Sequence, residues 1–126
     1  MKAKTFLLLF IIFYISGCEK IGLGETFKCH MGITYRVTND LLFKIKSLND
    51  SRCPENMLCF WAGECHLDFF INLNNTIIDT VLYLNPTKEY HYQFGDYNFS
   101  VLDVRPISTG TTSLKDITIK MFITKN

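Results

Sequence analysis

Five cysteines and three histidines are the residues of this 126-residue chain best suited to metal binding or covalent chemistry. Two of the histidines directly follow cysteines, in Cys29-His30 and Cys65-His66, and His91 lies between two tyrosines. Mixed Cys/His ligation is typical of zinc and copper sites. Adjacent residues of a strand point to opposite faces, however, so a cysteine and the histidine after it cannot easily share one metal ion. The sequence therefore predicts no metal site and no cofactor, with a surface site built from histidines as the alternative.

Motifs of common enzymes and nucleotide sites are absent from the sequence. It contains no G-x-S-x-G, H-E-x-x-H, P-loop or C-x-x-C pattern. The pair Gly22-x-Gly24 lacks the rest of a nucleotide-binding fingerprint. We expect a protein that is not an enzyme, and an enzyme with a dispersed, motif-free site is the alternative.

The first 17 residues have the pattern of an export signal. Lys2 and Lys4 precede a ten-residue apolar run at 6–15, which is about half of the roughly 20 residues that span a bilayer. The residues Ile-Ser-Gly-Cys at 15–18 resemble the bacterial lipobox, an apolar residue and two small ones before an obligatory cysteine. This resemblance implies that the chain is cut before Cys18 and that Cys18 carries lipid.

The lipobox resemblance also implies the organisation of the chain and its location. Residues 1–17 are then a signal peptide, 18–25 a lipidated tether and 26–126 a single β-domain outside the cytoplasm, anchored to the cell envelope. The membrane is the expected partner through the lipid, and an envelope protein or a glycan is a further candidate. Loss of Lys2 and Lys4 changes the net charge from +1 to −1. This predicts neither nucleic-acid binding nor an electrostatic hold on anionic lipid.

The remaining cysteines are even in number, and an oxidising compartment favours their pairing into two disulfides. Three connectivities are open. Cys53 and Cys59 lie six residues apart in one loop and can meet without long-range folding, which leaves Cys29 with Cys65. Cys29 and Cys65 are in phase with apolar neighbours on alternating strands, so both are expected to face inward and to pair.

Alternation of apolar and polar residues predicts strands throughout the exported part of the chain. The expected strands lie at 26–31, 33–38, 41–45, 65–73, 76–84, 89–94, 97–104 and 117–123. Gly95-Asp96 suits a type II′ hairpin turn, and a slip of the apolar phase near Val101-Leu102 predicts a bulge. The pattern predicts an all-β, antiparallel β-sandwich of about seven or eight strands, with an immunoglobulin-like strand order as one form of it. A small closed β-barrel is the alternative.

Residues 50–64 read DSRCPENMLCFWAGE and contain the only tryptophan of the chain, Trp61. This segment resembles a motif of small bacterial secreted and lipoprotein domains, D-S-R-C-P, four residues, then C-x-W-A-G. Such chains are similar to this one along most of the exported part, including the strand start at 24–26. The resemblance implies the fold and the pairing of Cys53 with Cys59, and it implies no activity.

We expect loop 50–63 to be a rigid recognition loop, a common use of loops on a β scaffold. The loop is expected to present Arg52 and Trp61. Arg52, placed to stack on Trp61 or to pair with a carboxylate, is its expected contact residue. In the alternative interpretation Trp61 is buried, and the loop is a plug that closes one end of the sandwich. A tyrosine-rich segment at 90–99 could line an aromatic groove, although alternating aromatic residues are more often core.

Overall fold

The computed structural model describes residues 19–54, 56–107 and 113–126. The expected signal peptide and the lipidation site Cys18 lie outside the described residues. No helix within the described ranges has the length and apolar character needed to cross a membrane. The described elements are a short 3-10 helix, Leu114–Asp116, and the strands β1 Glu19–Lys20, β2 Thr26–Cys29, β3 Thr34–Arg36, β4 Leu41–Asp50, β5 Cys65–Leu73, β6 Thr76–Leu84, β7 Tyr92–Phe94, β8 Tyr97–Arg105 and β9 Thr118–Lys125.

The strands form two sheets that pack face to face, so the prediction of an all-β sandwich is confirmed. One sheet has the order β1-β3-β4-β5-β6 and is antiparallel except for the β1–β3 pair, and the other is antiparallel in the order β2-β9-β8-β7. Within the described residues strands pair only inside their own sheet, so the sandwich is not closed into a barrel. The order also differs from an immunoglobulin domain, because β3 to β6 and β7 to β9 are meanders of consecutive strands.

The core forms because inward residues alternate with outward ones along each long strand. In β5, for example, Cys65, Leu67, Phe69 and Ile71 are fully buried, while the residues between them are partly exposed. Phe43 of β4 lies at the centre. Its ring stacks on those of Tyr35 and Phe69 and meets Phe99 of the opposite sheet edge-on.

Two local predictions about β8 are confirmed. Gly95 has a φ of 58°, as a hairpin turn with glycine at its first central position requires. The β8–β9 register shifts between Val101 and Asp103, where the apolar phase of the sequence slips.

The strands β1 and β2 lie at the same side of the sandwich, which we name the β1/β2 edge. Each is the terminal strand of its sheet. The backbone N–H of His30, just after β2, donates to the hydroxyl of Tyr35 in β3 at 2.8 Å. Phe27 of β2 also packs against Phe43, with ring centroids 6.2 Å apart.

Residues 19–25, assigned to the tether from sequence, lie against this edge. Glu19 and Lys20 pair in parallel with Tyr35 and Arg36. The next residue, Ile21, is buried in the core, and its N–H donates to the Arg36 carbonyl at 2.9 Å. The segment is therefore part of the sandwich.

The structure contains one of the two expected disulfides. Cys53 and Cys59 are bonded, with their Cα atoms 5.9 Å apart. Cys29 and Cys65 face inward as expected, but no bond joins them. The Cys29 thiol donates to the Ile119 carbonyl, and burial raises the pKa of the Cys65 thiol to about 12. The predicted second bridge is wrong because inward phase places both thiols in the core without setting their lateral positions. Cys29 lies on an edge strand, whereas Cys65 lies next to the opposite edge of the other sheet.

Candidate functional site

A buried ion pair holds the base of the loop that connects β4 to β5, residues 51–64. The Arg52 guanidinium donates to both carboxylate oxygens of Asp50, from Nε and Nη2, at 2.8 Å each. Nη2 also donates to the Val104 carbonyl of β8 at 2.8 Å. Because Val104 belongs to the other sheet, this one side chain ties the loop base to both layers of the sandwich.

The expectation that Arg52 is the contact residue is wrong. Only 7% of Arg52 is exposed, and the Asp50 side chain is fully buried. A buried charge is stable only when it is paired and hydrogen-bonded. Burial by itself lowers the pKa of Arg52, but the hydrogen bond and charge of Asp50 more than offset this and hold the pKa above its ordinary value. Arg52 therefore fixes the base of the loop inside the domain and is not exposed to a partner.

A disulfide and backbone hydrogen bonds close the loop above the Arg52–Asp50 ion pair. The Cys53–Cys59 disulfide closes its first half. The N–H groups of Ser51 and Cys53 donate to the carbonyls of Glu64 and Ala62 at 2.8 and 3.1 Å. Gly63 has a φ of 71°, and a Cβ atom at this position would lie 2.0 Å from the Ser51 carbonyl oxygen. Only glycine fits there, so the close approach of the two loop arms requires a glycine at position 63.

The tip of the loop, residues 57–61, exposes large apolar side chains. The exposed fractions are 63% for Met57, 104% for Leu58, 102% for Phe60 and 68% for Trp61. These are four of the seven large apolar residues exposed in the described ranges. Single exposed apolar residues are normal, whereas a contiguous group marks a contact surface.

This arrangement contradicts the interpretation of the loop as a plug, which requires a buried Trp61. It also identifies three tip residues that the sequence interpretation missed, Met57, Leu58 and Phe60. The signal was present in the sequence, because residues 57–63 contain no charged side chain. We expect the side chains of an uncharged run to stay exposed in a short, disulfide-closed loop, because the closed loop restricts their access to the core.

A polar network braces the second arm of the loop against the β6–β7 connection. Glu64 accepts hydrogen bonds from Asn85 Nδ2 at 2.8 Å and from the Tyr90 hydroxyl at 3.2 Å. Its other carboxylate oxygen lies 3.3 Å from His66 Nε2. The hydrogen bond from Asn85, supported by those from Tyr90 and His66, holds the pKa of Glu64 below its ordinary value. Glu64 is thus kept ionised, which suits a brace better than a general acid.

The three histidines lie in three different surroundings. His30 Nδ1 is 3.1 Å from the Ile117 carbonyl, His66 lies beside Glu64, and His91 Nδ1 is 3.1 Å from Ser100 Oγ. Among residues 19–54, 56–107 and 113–126, no group of three or more His, Cys, Asp or Glu side chains could hold a metal ion. The structure gives no support to the alternative of a histidine metal site.

Two open grooves border the loop. The larger, about 1040 Å³, lies between the β6–β7 connection and the outer face of the four-stranded sheet, with Tyr83, Tyr90 and His91 on its wall. The smaller, about 910 Å³, brings the loop residues Pro54 and Asn56 together with residues of β2, β8 and β9. The tyrosine-rich segment is split, because Tyr90 borders the larger groove whereas Tyr97 is core.

No protein-family model, curated protein or solved structure matches this chain. The candidate site therefore rests on its geometry, and the feature that distinguishes it is the exposed apolar tip.

Proposed function

We propose that this chain is a lipid-anchored protein of the bacterial cell envelope that binds a partner without catalysing a reaction. Its contact surface is the tip of loop 51–64. The observation that carries the proposal is the exposure of four apolar side chains at the end of a covalently closed loop. The export pattern at 1–17 and the lipobox residues at 15–18 support the anchor and the envelope location.

The loop is built for binding at low entropic cost. Its base is held by Arg52 and its arms by the disulfide and two backbone hydrogen bonds. A contact surface that is ordered before binding loses less conformational freedom when the partner arrives. Burying each large apolar side chain contributes about 1.5–3 kcal/mol, and tryptophan is among the residues enriched where binding energy concentrates.

The groups that could act in catalysis are poorly suited to it. Cys65 is fully buried, and a thiol whose pKa is about 12 stays protonated at neutral pH. The thiolate, not the thiol, is the nucleophile. Glu64 is engaged by three side chains in its network. These features favour a binding role over that of an enzyme.

The anchor is tested by Cys18→Ala in the native host, with labelling by a radioactive fatty acid and partition between detergent and water. We expect loss of the label and release from the detergent phase. Cys59→Ala is the matched control, because it removes the loop disulfide but leaves the lipobox intact. An unchanged partition of Cys18→Ala would show that there is no lipid on this residue.

The contact surface is tested by placing a photocrosslinking amino acid at position 58 and, as a control, at position 77. Ile77 is also exposed, at 59%, but lies beside the β5–β6 hairpin at the opposite end of the sandwich. We expect adducts, to protein or to lipid, from position 58 only. Equal adducts from both positions would contradict the assignment of the tip.

A further inference from the structure

The chain enters the sandwich without a free tether. Glu19 and Lys20 already pair with β3, and Ile21 is buried. A lipid on Cys18 is attached one residue before β1, which is about 3.8 Å of chain. The β1/β2 edge is then held directly against the membrane that carries the lipid.

The strand register sets the distance between the lipid attachment point and the loop. β1 is parallel to β3 and therefore antiparallel to β4, which leads into the loop. The N-terminal end of β1 therefore faces the loop end of the sandwich. Glu19 is level with Phe43, and the seven residues from 44 to the end of β4 extend roughly 23 Å at about 3.3 Å each. β1 and the loop base are thus about 23 Å apart along the sandwich, so a lipid before β1 and the loop tip would hold the domain at two separate points.

The side chains of the tip have the chemistry of membrane insertion. Residues 57–63 are uncharged and include Phe60 and Trp61. Aromatic and aliphatic side chains on a protruding surface enter the boundary between headgroups and acyl chains, where tryptophan is enriched. Because the lipid already holds the domain at the surface, insertion is an intramolecular step and needs little affinity of its own.

Two pairs of basic side chains lie beside the β1/β2 edge, one pair on the outer face of each sheet. Lys20 lies opposite Arg36 in one sheet, and Lys28 lies opposite Lys120 in the other. All four are exposed, and none makes a salt bridge to a described residue. Like charges opposite each other on neighbouring strands are unfavourable. Asp103 of β8 lies opposite Lys120 on its other side and offsets part of this repulsion, and a negatively charged surface would offset the rest. Anionic lipid attracts lysine and arginine in this way.

The smaller groove joins the Lys28–Lys120 pair to the loop residues Pro54 and Asn56. Its lining also contains Arg105, Asp103 and Asp116. Charged surface, with three lysine or arginine side chains and two aspartates among the described lining residues, therefore adjoins the loop. This fits a lipid headgroup layer better than a protein pocket that would receive the tip alone.

From these observations we infer that the partner of the loop tip is the anchoring membrane itself. The tip inserts among the lipids that hold Cys18, with Lys28 and Lys120 against anionic headgroups, so that the domain is fixed at two points. This inference rests on the proposed lipid anchor and names the partner of the contact surface.

Trp61 reports on insertion directly, because it is the only tryptophan of the chain. The full lipidated protein is reconstituted into phosphatidylethanolamine–phosphatidylglycerol vesicles with and without brominated acyl chains. We expect a blue-shifted Trp61 emission, loss of most of that emission in brominated vesicles, and weak quenching by acrylamide. Emission typical of water, quenched by acrylamide and unaffected by bromine, would overturn the inference.

Matched variants separate insertion from its alternatives. Leu58→Ser with Phe60→Ser should abolish bromine quenching, whereas Ile77→Ser should leave it unchanged. Lys28→Glu with Lys120→Glu should weaken it in anionic vesicles and not in neutral ones. Equal quenching in the tip variant and the Ile77 variant would overturn the inference.

Two further outcomes distinguish failure of the inference from failure of the anchor. If Trp61 becomes protected only after envelope proteins are added, the partner is a protein; the inference fails and the proposed function stands. If Cys18→Ala stays on the vesicles like the wild-type protein, the anchor fails, and the inference fails with it.

Discussion

The base and the tip of loop 51–64 reverse the usual distribution of side chains. At the base, Arg52 and Asp50 are charged and buried. At the tip, Leu58, Phe60 and Trp61 are apolar and exposed. The buried ion pair at the base therefore stabilises a loop conformation in which the apolar side chains of the tip cannot reach the core. Stability and contact surface are thus separated within one loop, and each can be changed without the other.

Removal of the ion pair at the base should have the largest effect on stability. Arg52→Ala leaves the Asp50 carboxylate buried without its main partner, and breaking a buried pair costs about 3–5 kcal/mol. Denaturant unfolding measures the loss. Arg105→Ala is the control, because its pair with Asp103 is largely exposed and such pairs contribute about 0–1 kcal/mol. Similar losses in both variants would contradict the distinction between base and surface.

Opening the disulfide should cost less. Cys53→Ser with Cys59→Ser frees a loop with a sequence separation of six, which the chain-entropy model values at about 2 kcal/mol. Hydrogen exchange at 57–62 should rise, while exchange in β4 and β5 stays slow. If hydrogen exchange at 57–62 is unchanged, the ion pair and the backbone hydrogen bonds are enough to order the loop without the disulfide.

Acidification should loosen the brace between the loop and the β6–β7 connection. The pKa of Glu64 is lowered in the folded protein, first by the Asn85 hydrogen bond. Its stabilisation is complete above the ordinary value of 4.5 and is lost as pH falls through the lower folded value. Glu64→Gln should therefore flatten the acid limb of stability against pH, measured by thermal unfolding from pH 7 to 3. An identical acid limb in both proteins would exclude Glu64 as a contributor.

Substitutions at the tip should have the smallest effect on stability. Trp61→Ala should change the free energy of unfolding by no more than about 0.5 kcal/mol, as at an ordinary surface position. Phe43→Ala, at the centre of the core, should cost about 3–5 kcal/mol. Thermal unfolding compares the two. A loss near that of Phe43→Ala would mean that Trp61 packs against the domain, and the contrast between base and tip would be lost.

The strand pattern was readable from sequence because it is local. All eight predicted strands are present, two with the predicted bounds and six with shifted ends, and the β8 bulge lies where the apolar phase slips. β1 was missed because two residues cannot show a period. The signal peptide and the lipid on Cys18 stay predictions, since they lie outside the described residues.

The candidate site was only partly predictable. The loop and its disulfide were recognised, since Cys53 and Cys59 are close in sequence. The burial of Arg52 was not predicted, and Trp61 was left between an exposed and a buried interpretation, because a loop has no period from which burial can be predicted. The Cys29–Cys65 bridge failed for a related reason, as phase predicts the face of a strand and not its neighbour in the opposite sheet.

The sequence by itself determined what depends on near neighbours: the two-residue alternation of the strands, the glycine turn and the disulfide loop. Tertiary structure alone decided which groups meet across the sandwich. Arg52 is buried because the fold brings the Val104 carbonyl to it from the other sheet. Lys28 faces Lys120 because β2 pairs with β9 across almost the whole chain, and a net charge near zero conceals that pair. Local geometry is encoded in a few consecutive residues, whereas burial and charge clustering depend on the packing of distant ones.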